Sequence, residues 1–150
     1  MEIILFVGKI VLMMDFIDFV LNILEEQGKT TQSLFDEIIS ENTFYKYRHR
    51  YPSLPTLIKL ANYLEVSIDY LLERSDDNRF KPYTIDSQAF YSNLLALMRA
   101  KKISGRKLCK ELSLARISLS RWKNGTLPSL QKLIEIADYF GCTIDDLLFE

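Results

Sequence analysis

Residues 52–73 (PSLPTLIKLANYLEVSIDYLLE) recur as residues 128–149 (PSLQKLIEIADYFGCTIDDLLF), with eleven of 22 positions identical at an offset of 76. Upstream the likeness continues more weakly at an offset of 74, where Phe16, Val20, Ile23, Leu24 and Leu34 fall on Phe90, Leu94, Leu97, Met98 and Leu108. A repeat of this kind constrains the fold more than any single motif, because each copy has to bury the same apolar pattern in the same way. The chain is therefore expected to be two copies of one unit, over 15–73 and 89–150. They flank a polar, proline-containing stretch, 74–88, expected as a linker.

Both copies carry helical spacing. In the second, Phe90, Leu94, Leu97 and Met98 form a 3.6-period stripe, and Ser104 is placed to cap a short second helix over 106–112. Ser113 and Leu114 turn the chain into a third helix ending at Asn124–Gly125, where glycine suits the left-handed position past a helix end. Pro128 and Ser129 open a fourth helix with Leu130, Leu133, Ile134, Ala137 and Phe140 inward, and Thr143 caps a fifth. The expected fold class is all-α, as two tandem five-helix domains.

Special chemistry is scarce. One histidine, His49, rules out paired-His and His-Cys zinc sites, and five well-separated glycines leave no phosphate-binding loop of common spacing. Cys109 and Cys142 form no C-x-x-C and sit in apolar patterns, so they are expected to be reduced core residues of a cytoplasmic protein. No nucleophile–base pair is placed together, so the expectation is a protein with no catalytic residues, no metal and no cofactor.

Residues 1–14, MEIILFVGKIVLMM, are interrupted by Lys9 and followed by Asp15 and Asp18. They are too short and too charged for a membrane span and lack the basic start and small-residue site of a secretory signal. Ile3 to Val7 suits a short strand. Alternatively, Met13 or Met14 is the true start. On either reading, a chain beginning at Met14 is expected to fold and to act as the full chain does.

The net charge of −1 conceals a strong asymmetry. Between Arg99 and Asn124 nine basic residues stand against one acid, whereas Ser129–Glu150 holds one lysine against five acids. Such a block is the footprint of a polyanion-binding surface or, more plainly, a solvated helix face.

The run LCKELSLARISLSRWKNGTLPSL (108–130) lies within that block. It resembles the Cro/CI-type, lambda repressor-like (XRE) helix-turn-helix family. The resemblance rests on Leu108, Leu119, Trp122, Asn124–Gly125, Pro128–Leu130 and Thr143–Leu148, and extends less well over the first copy. It implies a DNA-binding transcription regulator whose third helix enters a major groove about 12 Å wide. Leu119 and Trp122, three apart, must face inward; Leu119→Ala is then expected to cost about 2–5 kcal/mol as a buried truncation.

By resemblance, Arg116, Ile117 and Arg121, with Ser120 beside them, occupy base-reading positions. Arginine can bond guanine O6 and N7 together, and Ile117 can touch a thymine methyl. Ser104, Asn124 and Thr126 match positions that bond phosphate through backbone or side chain, while Lys102, Arg106 and Lys123 add charge. Gly105 stands where the family often has Gln, Ser113 replaces the usual turn glycine, and Ala115 replaces a polar cap.

Aligning the first copy (39–54) with 114–130 requires dropping one residue in the turn and another after the helix. Glu41 then falls where Arg116 sits. Lys46, Arg48, His49 and Arg50 alternate with Phe44, Tyr45, Tyr47 and Tyr51, a mixture suited either to DNA backbone contact through Lys46, Arg48 and Arg50 or to an aromatic dimer surface. The sequence thus points to double-stranded DNA as partner and to no membrane, and it leaves open whether the chain forms a homodimer. The alternative is a protein-interaction module, such as an antitoxin-like partner-binding protein.

Overall fold

The structure, a computed structural model, describes residues 2–6, 9–13, 15–84 and 86–149. It divides into two compact units, Met1–Tyr83 and Thr84–Glu150. The first unit opens with an antiparallel pair, β1 (Glu2–Phe6) and β2 (Lys9–Met13), with Ile3 opposite Leu12 and Leu5 opposite Ile10. The expected strand at Ile3–Val7 is thus present over Ile3–Phe6 and begins one residue earlier, while Val7 lies outside the described residues. Its partner was missed by sequence reasoning, although Ile10 and Val11 are β-branched and follow a glycine, the usual signal of a hairpin.

All other regular structure among the described residues is helical, and the fold is all-α as expected. In the first unit α1 (Phe16–Glu26) begins at Asp15, whose side chain accepts from the Ile17 N–H at 2.8 Å. α2 (Thr31–Glu37) and α3 (Glu41–Tyr45) are capped by Thr30 and Ser40, and α3 tightens into a 3-10 turn over Lys46–Arg48. α4 (Leu54–Leu64) and α5 (Ile68–Leu71) complete the unit around Ile17, Leu34, Phe44, Leu57 and Leu64, all fully buried.

The second unit has the same order: α6 (Ser87–Lys101), α7 (Gly105–Glu111), α8 (Ile117–Lys123), α9 (Leu130–Phe140) and α10 (Ile144–Leu148). Thr143 caps α10 as expected, through a reciprocal box. The Asp146 N–H donates to its Oγ1 and the Thr143 N–H to the Asp146 carboxylate, both at 3.0 Å. In α9 the buried face holds Ile136 in place of the expected Ile134, which is half-buried, and on α6 Leu97 is also only half-buried. Neither cysteine is fully buried, in contrast to the core positions expected for both.

The two units share several backbone features. α1 and α6 end alike, with Lys29 N–H donating to Leu24 O and Ile103 N–H to Met98 O, and with Gly28 and Lys102 in the left-handed conformation (φ 68° and 56°). α4 and α9 also end alike, through Val66 N–H to Ala61 O and Cys142 N–H to Ala137 O, with Glu65 and Gly141 left-handed (φ 53° and 66°). An edge-on ring pair also recurs, Phe16–Tyr47 at 6.1 Å and Phe90–Trp122 at 5.6 Å. Each ties the first helix of its unit to the end of the third.

The expected linker, 74–88, needs correction at both ends. Residues 74–83 belong to the first unit. Asn62 grips Tyr83, accepting from its N–H at 2.8 Å and donating to its carbonyl at 3.1 Å. Buried Tyr83 in turn offers its hydroxyl oxygen to the Ile68 N–H at 2.8 Å, satisfying the start of α5. Asn78 similarly accepts from the Ser67 N–H and donates to Glu65 O. At the other end α6 already starts at Ser87, because Asp86 accepts from the Gln88 and Ala89 N–H groups. Polar side chains that cap backbone groups have the composition of a linker while doing structural work.

Candidate nucleic-acid interface

α7 and α8 of the second unit form the site. Ser104 caps α7, its Oγ accepting from the Lys107 N–H at 3.1 Å, and Leu108 is fully buried beneath. Arg106, Lys107 and Lys110 are left exposed on the opposite face. The turn to α8 is made by Ser113 at φ 51°, and the Leu114 N–H donates to Cys109 O at 2.8 Å. A serine therefore takes the left-handed role for which glycine is suited.

α8 is set by two anchors. Trp122 is buried edge-on against Phe90, and Leu119 is half-buried over the start of α7. A Cβ at Gly105 would lie 2.8 Å from Leu119 Cδ1, so glycine at the place where the family often has Gln lets the two helices approach closely. With this face inward, Arg116, Ser120 and Arg121 are exposed, and so is Ile117 at 52%. Arg116 is the N-terminal flanking residue of α8 and spends no side-chain hydrogen bond on capping it. Between α7 and α8 runs a groove of about 680 Å³ lined by Arg106, Cys109, Lys110, Arg116 and Leu119 among others.

The residues matched to phosphate-binding positions fall in two groups. Lys102, Arg106 and Lys123 are exposed, Lys102 at the left-handed end of α6. Ser104, Asn124 and Thr126 are exposed too, but their backbone hydrogen bonds matter. The Asn124 N–H donates to Ser120 O and Arg121 O, and the Thr126 N–H donates to Arg121 O, so both amides are used in closing α8. At these positions only the side chains remain to meet phosphate. Ser104 can still donate its hydroxyl proton while its oxygen caps α7. Gly125, at φ 103°, ends the helix as expected.

Among the described residues, none of Arg106, Lys107, Lys110, Arg116, Arg121 and Lys123 is in an ion pair. Uncompensated, solvated cations are what counterion release from a polyanion requires. Lys101 is different: it donates to Tyr139 O at 3.0 Å and lies over the Tyr139 and Phe140 rings, serving the fold of its own unit. Among the described residues there is no group of three or more His, Cys, Asp or Glu side chains that could hold a metal, and no helix long and apolar enough to cross a membrane.

In the first unit Lys46, Arg48 and Arg50 are all exposed, on and just beyond the 3-10 turn. Phe44 and Tyr47 are buried, while Tyr45 and Tyr51 are 41% and 48% exposed. The ring pairs equate Tyr47 with Trp122, which puts Glu41 at the position of Arg116, and the offset of 74 that matches Leu34 with Leu108 puts Asp36 at that of Lys110. Burial pushes the Tyr47 and Tyr51 phenols up from their ordinary range.

Comparison with known proteins locates the family. Residues 93–148 match the family described as the Cro/C1-type HTH DNA-binding domain. Comparison with curated proteins and with solved structures gave no match. The matched residues run from within α6 to the end of α10, across the exposed cations and the outward face of α8. That stretch of the chain, 93–148, is one Cro/C1-type helix-turn-helix DNA-binding domain.

Proposed function

We propose that the protein is a sequence-specific DNA-binding transcription regulator in which α8 reads the major groove. Arg116, Ile117, Ser120 and Arg121 contact bases, and Lys102, Ser104, Arg106, Lys123, Asn124 and Thr126 hold the phosphates. The first unit is a divergent tandem copy of the same domain, aiding DNA contact through Lys46, Arg48 and Arg50 or aiding self-association. The observation that carries the reading is the exposed face of α8, with uncompensated cations on both sides of it and an aliphatic residue at its start. Base readout needs the central face, and phosphate positioning needs the flanks.

The test is selection of bound DNA from a random pool, followed by two substitutions. Arg121→Ala should cost about 1–3 kcal/mol on the selected site and relax the preference at one base position. Lys102→Ala should weaken all sequences alike and lower the salt slope by about one unit or less. Equal affinity of the unmodified protein for selected and scrambled DNA at physiological salt would end the sequence-reading claim. The exposed Tyr45 and Tyr51 favour a second reading, an antitoxin-like module whose first unit binds a partner protein, and such a module would have no base preference to lose.

A further inference from the structure

The third helix of the first unit carries the opposite chemistry to α8. Glu41, Tyr45 and Arg48 follow one another at helical spacing along α3 and the 3-10 turn, and all three are exposed. The Arg48 guanidinium lies 6.0 Å from the Tyr45 ring centroid, and Glu41 stands one helical turn before Tyr45 on α3. Among the described residues neither Glu41 nor Arg48 is in an ion pair. Asp36 and Glu37, exposed at the end of α2, add acid near the Glu41 end, while Lys46 and Arg50 add base near the Arg48 end.

A stripe with acid at one end, an aromatic at its centre and base at the other is complementary to itself when turned through a two-fold axis. Two such stripes placed antiparallel bring Glu41 against Arg48 and Tyr45 against Tyr45. DNA is the poorer occupant, because carboxylates stand where the second unit has Lys110 and Arg116. The geometry points to a second copy of this chain docking α3 on α3 across a two-fold axis. This deepens the self-association part of the proposed function and rests on it. The contact is small, in the range of transient interfaces, so the exposed aromatic at its centre carries much of the affinity.

Sedimentation equilibrium of the full chain tests this. The unmodified protein should dimerise reversibly, and Tyr45→Ala, Glu41→Arg and Arg48→Glu should each weaken dimerisation about 10-fold or more. The double change Glu41→Arg with Arg48→Glu should restore it, because the swapped charges meet again only across the two-fold axis. A chain that stays monomeric at about 100 μM, a dimer indifferent to the single changes, or singles that the double change does not rescue would each overturn the proposal. Loss of DNA affinity with unchanged association in Tyr45→Ala would overturn it too, and assign the face to DNA. Base preference measured in parallel on a short single site separates the two claims. It should survive in the monomeric variants, and its absence from the unmodified protein would count against DNA reading alone.

Discussion

At the scale of single residues, the left-handed positions are where this chain stores strain. Gly28 and Gly141 take that conformation freely, but their repeat counterparts are Lys102 and Glu65, and Ser113 takes it in the helix-turn-helix turn itself. A side chain there crowds the following carbonyl, and glycine relieves this at some expense in unfolded-chain entropy. Ser113→Gly should therefore raise stability by about 0.5–1 kcal/mol, read as a higher denaturant midpoint at unchanged slope. Lys102→Gly should raise it by a similar amount while still lowering the salt slope of DNA binding, which separates the residue's charge from its backbone role. A drop in stability in either variant would mean that the side chain makes a contact worth more than the strain. The sequence marked Ser113 as a departure from the family pattern. The dihedral explains what the departure does.

At the scale of elements, α8 owes its orientation to unequal anchors. Trp122 is buried and Leu119 only half-buried, so the cost expected from sequence for Leu119→Ala is too high. It should be about 1–3 kcal/mol, against about 3–5 kcal/mol for Trp122→Ala, both measurable by denaturant unfolding. Equal costs would mean that the helix pivots about both residues alike. Gly105→Ala should be close to neutral, since the new methyl meets only the movable end of Leu119 while the helix gains propensity. In the first unit the sequence ENTFY is poor in strong helix formers, and α3 is correspondingly short before it tightens into the 3-10 turn. Sequence reasoning placed one alignment gap in the turn before this helix and another after it, and the shorter turn over 38–40, against 112–116 before α8, is the structural counterpart of the first.

At the scale of the whole molecule, charge divides as the units do. Residues 15–83 hold twelve acidic against eight Lys and Arg residues, and residues 84–150 hold ten Lys and Arg against seven acidic. The two units thus differ in surface charge while having the same helix order. Residues 74–83 form a clasp within the first unit. Tyr83→Phe removes the acceptor of the buried Ile68 N–H and should cost about 1–3 kcal/mol of first-unit stability. Unchanged thermal and denaturant unfolding would return that segment to the status of a linker.

The helical class and the exposed positions of α8 were legible in the chain alone. These follow from apolar periodicity: two anchors three residues apart leave only one side of a short helix for solvent, whatever lies beneath. The sequence also located Gly125 and Thr143, because a left-handed helix end and a capping box are local events within a few residues. Only the tertiary structure decided the rest. The approach of Leu119 to Gly105, the ring pairs at Phe16 and Phe90, and the grip of Asn62 on Tyr83 join residues far apart in the chain. Periodicity says which face is apolar but not which distant group meets it. The left-handed Lys102 and Ser113 were hidden for a different reason: nothing in a lysine or serine side chain asks for positive φ, yet each closes its helix that way, through Ile103 N–H to Met98 O and Leu114 N–H to Cys109 O.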